Sequence, residues 1–97
     1  MALVEGKVIA IAGLNQDPYA HNPTVARLRH LYVQSAWRGR GVGKLMVSQI
    51  ISHASQHYRI LTLRTDSLEA DKFYRALSFK TNPSMAHATH YLKLENN

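Results

Sequence analysis

Between Arg38 and Lys44 the chain reads Arg-Gly-Arg-Gly-Val-Gly-Lys, with Gly39, Gly41 and Gly43 at alternate positions. Glycine adopts backbone angles that a side chain forbids, so the amides of Arg38, Gly39, Arg40, Gly41, Val42, Gly43 and Lys44 can turn toward a single point. The apolar stretch Leu31-Tyr32-Val33 lies ahead of this turn, and a helical pattern follows it. A helix that starts there adds its unpaired N–H groups and the positive end of its dipole. The chemistry on offer is anion binding by backbone. A P-loop needs Ser or Thr after Gly-Lys and a Gly where Arg38 stands, but Leu45 follows Lys44. A dinucleotide fingerprint needs a Gly where Lys44 stands, so that motif fails as well.

The elements that position this turn follow from periodicity. Residues 1–14 read as a hairpin, with a turn at Glu5-Gly6-Lys7 and a strand from Val8 to Leu14 whose near-continuous apolar run predicts a central position. Asn15 to Pro23 reads as a loop and Thr24 to Val33 as a strand. Gly41 to about His57 carries Val42, Leu45, Met46, Ile50 and Ala54 on one helical stripe. A strand over Arg59–Thr65, a helix capped by Asp66 or Ser67 and running to Leu77, a strand over Ser78–Asn82, a turn at Asn82-Pro83-Ser84 and a last strand over Thr89–Leu94 complete the chain. The order β-β-β-α-β-α-β-β predicts an α/β protein. Its sheet is mixed, mostly antiparallel and twisted, around a parallel, right-handed β-α-β unit.

Arg38-x-x-Gly41-x-Gly43 after an apolar strand resembles the pyrophosphate-binding signature of the GNAT N-acetyltransferases, and Trp37 stands where that family usually has an aromatic. Further on, Ala70-x-x-Phe73-Tyr74-x-x-Leu77-x-Phe79 resembles the family's second signature, a Tyr-bearing helix ending in Leu-Gly-Phe. The resemblance covers most of the chain and implies the GNAT-like acyl-CoA N-acyltransferase fold. It makes residues 1–97 a single, short domain without the family's first strand and the two helices after it. A bulge in the strand before the loop is also implied, so the facing of Leu31 to Val33 is left open.

The same resemblance implies acetyl transfer from acetyl-CoA to a primary amine by direct attack, with acetyl-CoA as co-substrate and no metal. Arg38 to Lys44 would hold the pyrophosphate, and the backbone of Leu31, Tyr32 and Val33 would lie along the pantetheine arm. An N–H near Val33 would face the developing oxyanion. Tyr74 is implied as the general acid for the leaving thiolate. Ser67 stands where the family often has Asn beside the pantetheine, and Ser78 replaces the usual Gly. His30 is the candidate base, because Arg27, Arg29 and Thr62 occupy positions where family members often carry an acid.

Composition bounds the partners. At 97 residues with 45% hydrophobic content the chain is of a size for one core, and no apolar run reaches the ~20 residues of a membrane span. The absence of Cys and of a secretory signal predicts a cytoplasmic location. The net charge of +6 calls for an anionic partner, but a nucleic-acid reading rests on that charge alone and lacks an interleaved aromatic platform. Apolar surface that the absent family segment would cover predicts a homodimer. The rival to an active transferase is an acyl-CoA-binding or regulatory module that keeps the loop without turnover.

Overall fold

The computed structural model describes residues 2–4, 7–82 and 87–94, and the side chains of 12–29, 31–82 and 87–94. The expected turns at Glu5-Gly6 and Pro83-Ser84 and the side chain of His30 lie outside the described residues, as does the burial of Val8 to Ile11. Among the described residues six strands and two α-helices follow one another as β1 (Ala2–Val4), β2 (Lys7–Gln16), β3 (Val25–Val33), α1 (Val42–Ala54), β4 (Ile60–Leu63), α2 (Leu68–Ala76), β5 (Lys80–Thr81) and β6 (His90–Lys93). A short 3₁₀ turn, Ser35–Trp37, links β3 to the glycine-rich segment.

One sheet of order β1-β2-β3-β4-β6-β5 contains all six strands. Among the described strand pairs only β3 and β4 run parallel, with α1 as the crossover between them. This is the mixed sheet expected from the element order. Strand β2 continues to Gln16, beyond the Leu14 limit read from the sequence, because Asn15 and Gln16 keep pairing with Arg27 and Ala26. Asp17 then closes the ladder through its N–H to the Val25 carbonyl at 2.8 Å.

Both helices bury their apolar stripes on one sheet face. Val47 and Ala54 of α1 and Tyr74 of α2 meet Ala26, Leu28, Leu61 and Leu63 there, closed by Phe79 and Leu94. On the other face Arg27 and Asp17 are buried as an ion pair at 3.7 Å, and the Thr62 hydroxyl donates to Asp17 Oδ2 at 2.6 Å. Arg27 also donates to the His87 carbonyl at 2.5 Å and stacks over Tyr19, so the arginine standing where the family often has an acid is a structural tie.

Strand β3 carries the implied bulge. Arg29 faces Gly13 while Tyr32 faces Ile11, so His30 and Leu31 together stand against Ala12 alone. The extra residue flips parity. Leu31 therefore packs on the same core as Leu28, three positions away, which strict alternation would forbid.

Candidate active site

The pairing of β3 with β4 ends at Arg27 and Thr62, so residues 28–33 continue with partners only in β2 and leave one backbone edge free. Helix α2 stands across from that edge, and the glycine-rich turn closes one end. Between them lies a cleft of about 750 Å³ whose lining includes Leu31, Tyr32, Val33, Arg38, Gly39, Gly41, Gly43, Lys44, Ser67 and Tyr74. Ten of the thirteen residues predicted as catalytic or cofactor-binding are thus brought to one place. Arg40 and Val42 are not among the lining residues, and Arg40 instead lies over the Trp37 ring at 5.0 Å.

The three glycines are not equivalent. Gly39 and Gly41 have φ of 76° and 81°, the left-handed region that side chains disfavour. Gly43 sits inside α1 with an ordinary helical φ, and a Cβ there would meet the Phe73 ring at 3.4 Å and Val33 at 3.7 Å, ordinary contact distances that neither exclude a side chain nor leave it open space. Gly41 is the N-cap of α1 and no side chain caps that helix, so the first-turn amides have no side-chain acceptor. Arg38 folds back, its Nε donating to the Val33 carbonyl at 3.0 Å with the guanidinium 5.6 Å from the Tyr32 ring. That bond pins the turn to the end of β3. It also occupies one of the Val33 acceptors on which backbone pairing with a bound arm would draw.

Tyr74 lines the other wall with 7% of its surface exposed. Its ring stands edge-on to Phe73 at 5.1 Å and to Phe79 at 5.3 Å, and burial pushes its phenol above the ordinary value of 10.0. The group is a protonated hydroxyl at neutral pH. Helix α2 holds it between two firm ends. At the start, the Ser67 oxygen accepts from the Ala70 N–H at 3.2 Å, so the residue read as a cofactor contact is also the cap. At the end, Ser78 N–H donates to the Arg75 carbonyl and Phe79 N–H to the Tyr74 carbonyl, the Schellman pattern, with Ser78 at φ 77°.

Several residues at or beside the site were not marked by sequence reasoning. Glu69 also lines the cleft, beside Trp37, Ala70 and Phe73, which the two signatures marked without giving them a role in the site. For the α2 residues the signal was present in the spacing 69, 70, 73, 74, which is one helical face. Behind Tyr74, at 6.0 Å between rings, His90 is buried and bridges Asp71 Oδ1 and Thr89 Oγ1, each at 2.7 Å. Nothing in linear order links residue 71 to residue 90.

A backbone anion loop, a free strand edge and a buried phenol facing one cleft on a mixed sheet define an acyltransferase-like site. The profile described as the acetyltransferase (GNAT) family matches residues 1–79, and the chain belongs to that family. An N-acetylaspartate synthetase of Xenopus tropicalis is 31% identical over 83 residues, covering 82% of this chain and 30% of its own length. Among solved structures, a candidate acetyltransferase from Exiguobacterium sp. 255-15 superimposes with a TM-score of 0.79 at 31% identity, over 90% of this chain and 55% of that one. Ard1 from Thermoplasma volcanium shares the fold with a TM-score of 0.77 at 23% identity, over 96% of this chain and 68% of that one. The Bacillus subtilis N-acetyltransferase YlbP, solved in complex with coenzyme A, does so with a TM-score of 0.74 at 18% identity, over 94% and 64%. The chain thus spans about a third of the curated relative and a little over half of the Exiguobacterium structure.

Proposed function

We propose that the protein transfers an acetyl group from acetyl-CoA to the nitrogen of a primary amine by direct attack. The observation that carries this reading is the cleft itself, where the free edge of β3, the uncapped start of α1 and the Tyr74 hydroxyl converge. The name of the similar N-acetylaspartate synthetase, a protein that makes an N-acetylated product, supports it.

In this reading the amides around Gly41 and Gly43 hold the pyrophosphate, with Lys44 adding charge, and Leu31 to Val33 guide the pantetheine arm toward Tyr74. The amine lone pair forms the C–N bond while the carbonyl electrons move to oxygen, where an N–H near Val33 stabilises them. As the C–S bond breaks, the Tyr74 phenol supplies the proton that turns thiolate into thiol. The nitrogen's surplus proton leaves through His30, at the bulge where β3 parts from β4, or through water. The reading includes a cytoplasmic homodimer, supported by the lack of Cys and by exposed Leu45 and Leu68. Among the described residues no helix is long and apolar enough to cross a membrane.

The test is a panel of primary amines with acetyl-CoA, following free-thiol release and product mass. One acetyl group gained per thiol released is the expected result. Tight binding of coenzyme A with no thiol release on any amine would replace this reading with the binding module.

A further inference from the structure

We propose that His90 is a positioning residue for Tyr74, held by Asp71 and Thr89 so that it fixes the roll of α2 about its axis and, with it, the direction of the phenol into the cleft. This rests on the acetyl-transfer reading, in which that phenol delivers the proton to the leaving thiolate.

Helix α2 needs such a device. It has nine residues, too few to hold a helix without tertiary support. The Ser67 cap and the Schellman turn close its two ends through backbone groups, and its apolar packing is non-directional, so neither defines the roll sharply. A roll would carry Tyr74 away from the cleft. Asp71 and Tyr74 stand three positions apart on one helical face, and His90 of β6 meets both of them. It reaches Asp71 by a hydrogen bond of 2.7 Å and Tyr74 by a ring contact at 6.0 Å between centroids. Two contacts on one face fix the rotation of that face.

His90 is itself held in one orientation. Its partner in β4 is Leu63, a core residue, so strand pairing turns the imidazole toward the helices, where it is 3% exposed. Both ring nitrogens are engaged. Thr89 Oγ1 already accepts from the Thr65 N–H at 3.0 Å, and its own hydrogen has Nδ1 at 2.7 Å against the Leu63 carbonyl at 3.5 Å. The shorter contact takes that hydrogen, so Nδ1 accepts and Nε2 donates to Asp71. Turning the ring over would break both bonds. Asp71 Oδ1 is fixed in turn by the Arg75 Nε at 2.8 Å.

The same chain of bonds reaches the cofactor wall. Thr65, whose N–H holds Thr89, accepts from the N–H of Ser67, which lines the cleft. His90 and Asp71 are not among the cleft's lining residues and instead line a separate opening on the other flank of α2. A change at His90 therefore acts on the reaction through the place where α2 carries Tyr74.

The experiment measures kcat and coenzyme A affinity for His90→Phe, which keeps a flat ring without nitrogens, and for His90→Gln, whose amide can still donate to Asp71. Each is made in the wild type and in Tyr74→Phe. The expected result is a fall in kcat of about tenfold for His90→Phe, within the roughly 10²-fold that misplacing a reacting group costs, with coenzyme A affinity unchanged. His90→Gln should recover part of the loss. In Tyr74→Phe the same substitutions should have no further effect, because no hydroxyl is left to aim. Equal losses in the two backgrounds, or an unchanged kcat, would overturn the proposal. Where His90→Phe does not fold, Asp71→Ala cuts the same tether from the helix side and must show the same non-additivity. A second readout needs no turnover. In NMR of isotope-labelled tyrosine, with the signal identified by its loss in Tyr74→Phe, the Tyr74 phenol of His90→Phe should titrate closer to the ordinary 10.0 as its burial is relieved. If the wild type releases no thiol with any amine, the transfer reading falls alone, and a titration that does not move would then overturn the positioning as well.

Discussion

Tyr74 is a buried phenol that burial keeps protonated at neutral pH, so the proton for a leaving thiolate is in place, held more firmly than in water. Replacing it with Phe deletes one hydroxyl and keeps the edge contacts with Phe73 and Phe79. We expect kcat to fall roughly 10²-fold with coenzyme A affinity nearly unchanged, since acid catalysis is worth that much. Single-turnover measurement of the chemical step checks this, and an unchanged rate would leave Tyr74 with a packing role only. At the loop, Gly41→Val places a β-branched side chain at φ 81°, whereas Arg40→Ala removes a side chain already lying on Trp37. Calorimetry should show a much larger loss of coenzyme A affinity for the first. Equal affinities in two folded variants would disprove backbone recognition.

At the scale of elements, α2 is the part on which the site depends, because its two ends set the height of Tyr74 above the sheet. Ser78 holds a left-handed conformation at φ 77° to complete the Schellman turn, a conformation that costs a non-glycine residue about 1 kcal/mol. Ser78→Gly should therefore stabilise the fold by roughly that amount in denaturant titration, because relief of strain outweighs glycine's extra unfolded-state entropy. A destabilised variant would mean that the serine side chain contributes something glycine cannot. The same helix is clamped to β6 by Asp71, whose carboxyl is held below its ordinary 3.8 first by the hydrogen bond from Arg75 and then by that from His90. A depressed carboxyl contributes stability that is present above the unfolded value and lost as pH falls through the folded one. Acid titration from pH 5 downward, roughly the range where carboxylates protonate, should thus cost wild type more stability than Asp71→Asn. Parallel acid curves would show that the clamp has no titratable component.

For the whole molecule, a chain of 97 residues has one main core and little margin. That core is where the two helices meet β3 and β4, and Leu61, fully buried at its centre, touches this junction from the sheet side. Leu61→Ala should cost about 2–5 kcal/mol, a large share of the stability of a small domain. Thermal unfolding with and without coenzyme A measures it, and a loss below about 1 kcal/mol would show that the core collapses around the missing side chain. The recorded pairing of β3 with β4 ends at Arg27 and Thr62, one position beyond the Ala26–Leu61 pair of this core, so the same packing fixes where the sheet opens.

What sequence alone determined was local chemistry. Glycine spacing, the apolar strand ahead of it and the helical stripes are written in neighbouring residues, so the loop, both helices and the order of the strands were legible from them. Local spacing could not separate the glycines, since Gly39 and Gly41 hold left-handed backbone angles while Gly43 is helical and faces Phe73 of the other helix. Nor could it tell that Arg27 is buried, because its partners Asp17 and His87 come from two other connections. Tertiary structure decided the rest by two long-range events. The bulge at His30 and Leu31 turned the end of β3 by one residue, and the early end of pairing with β4 opened the sheet. Both depend on which strands become neighbours, an outcome of packing the helices on one face that no window along the chain contains.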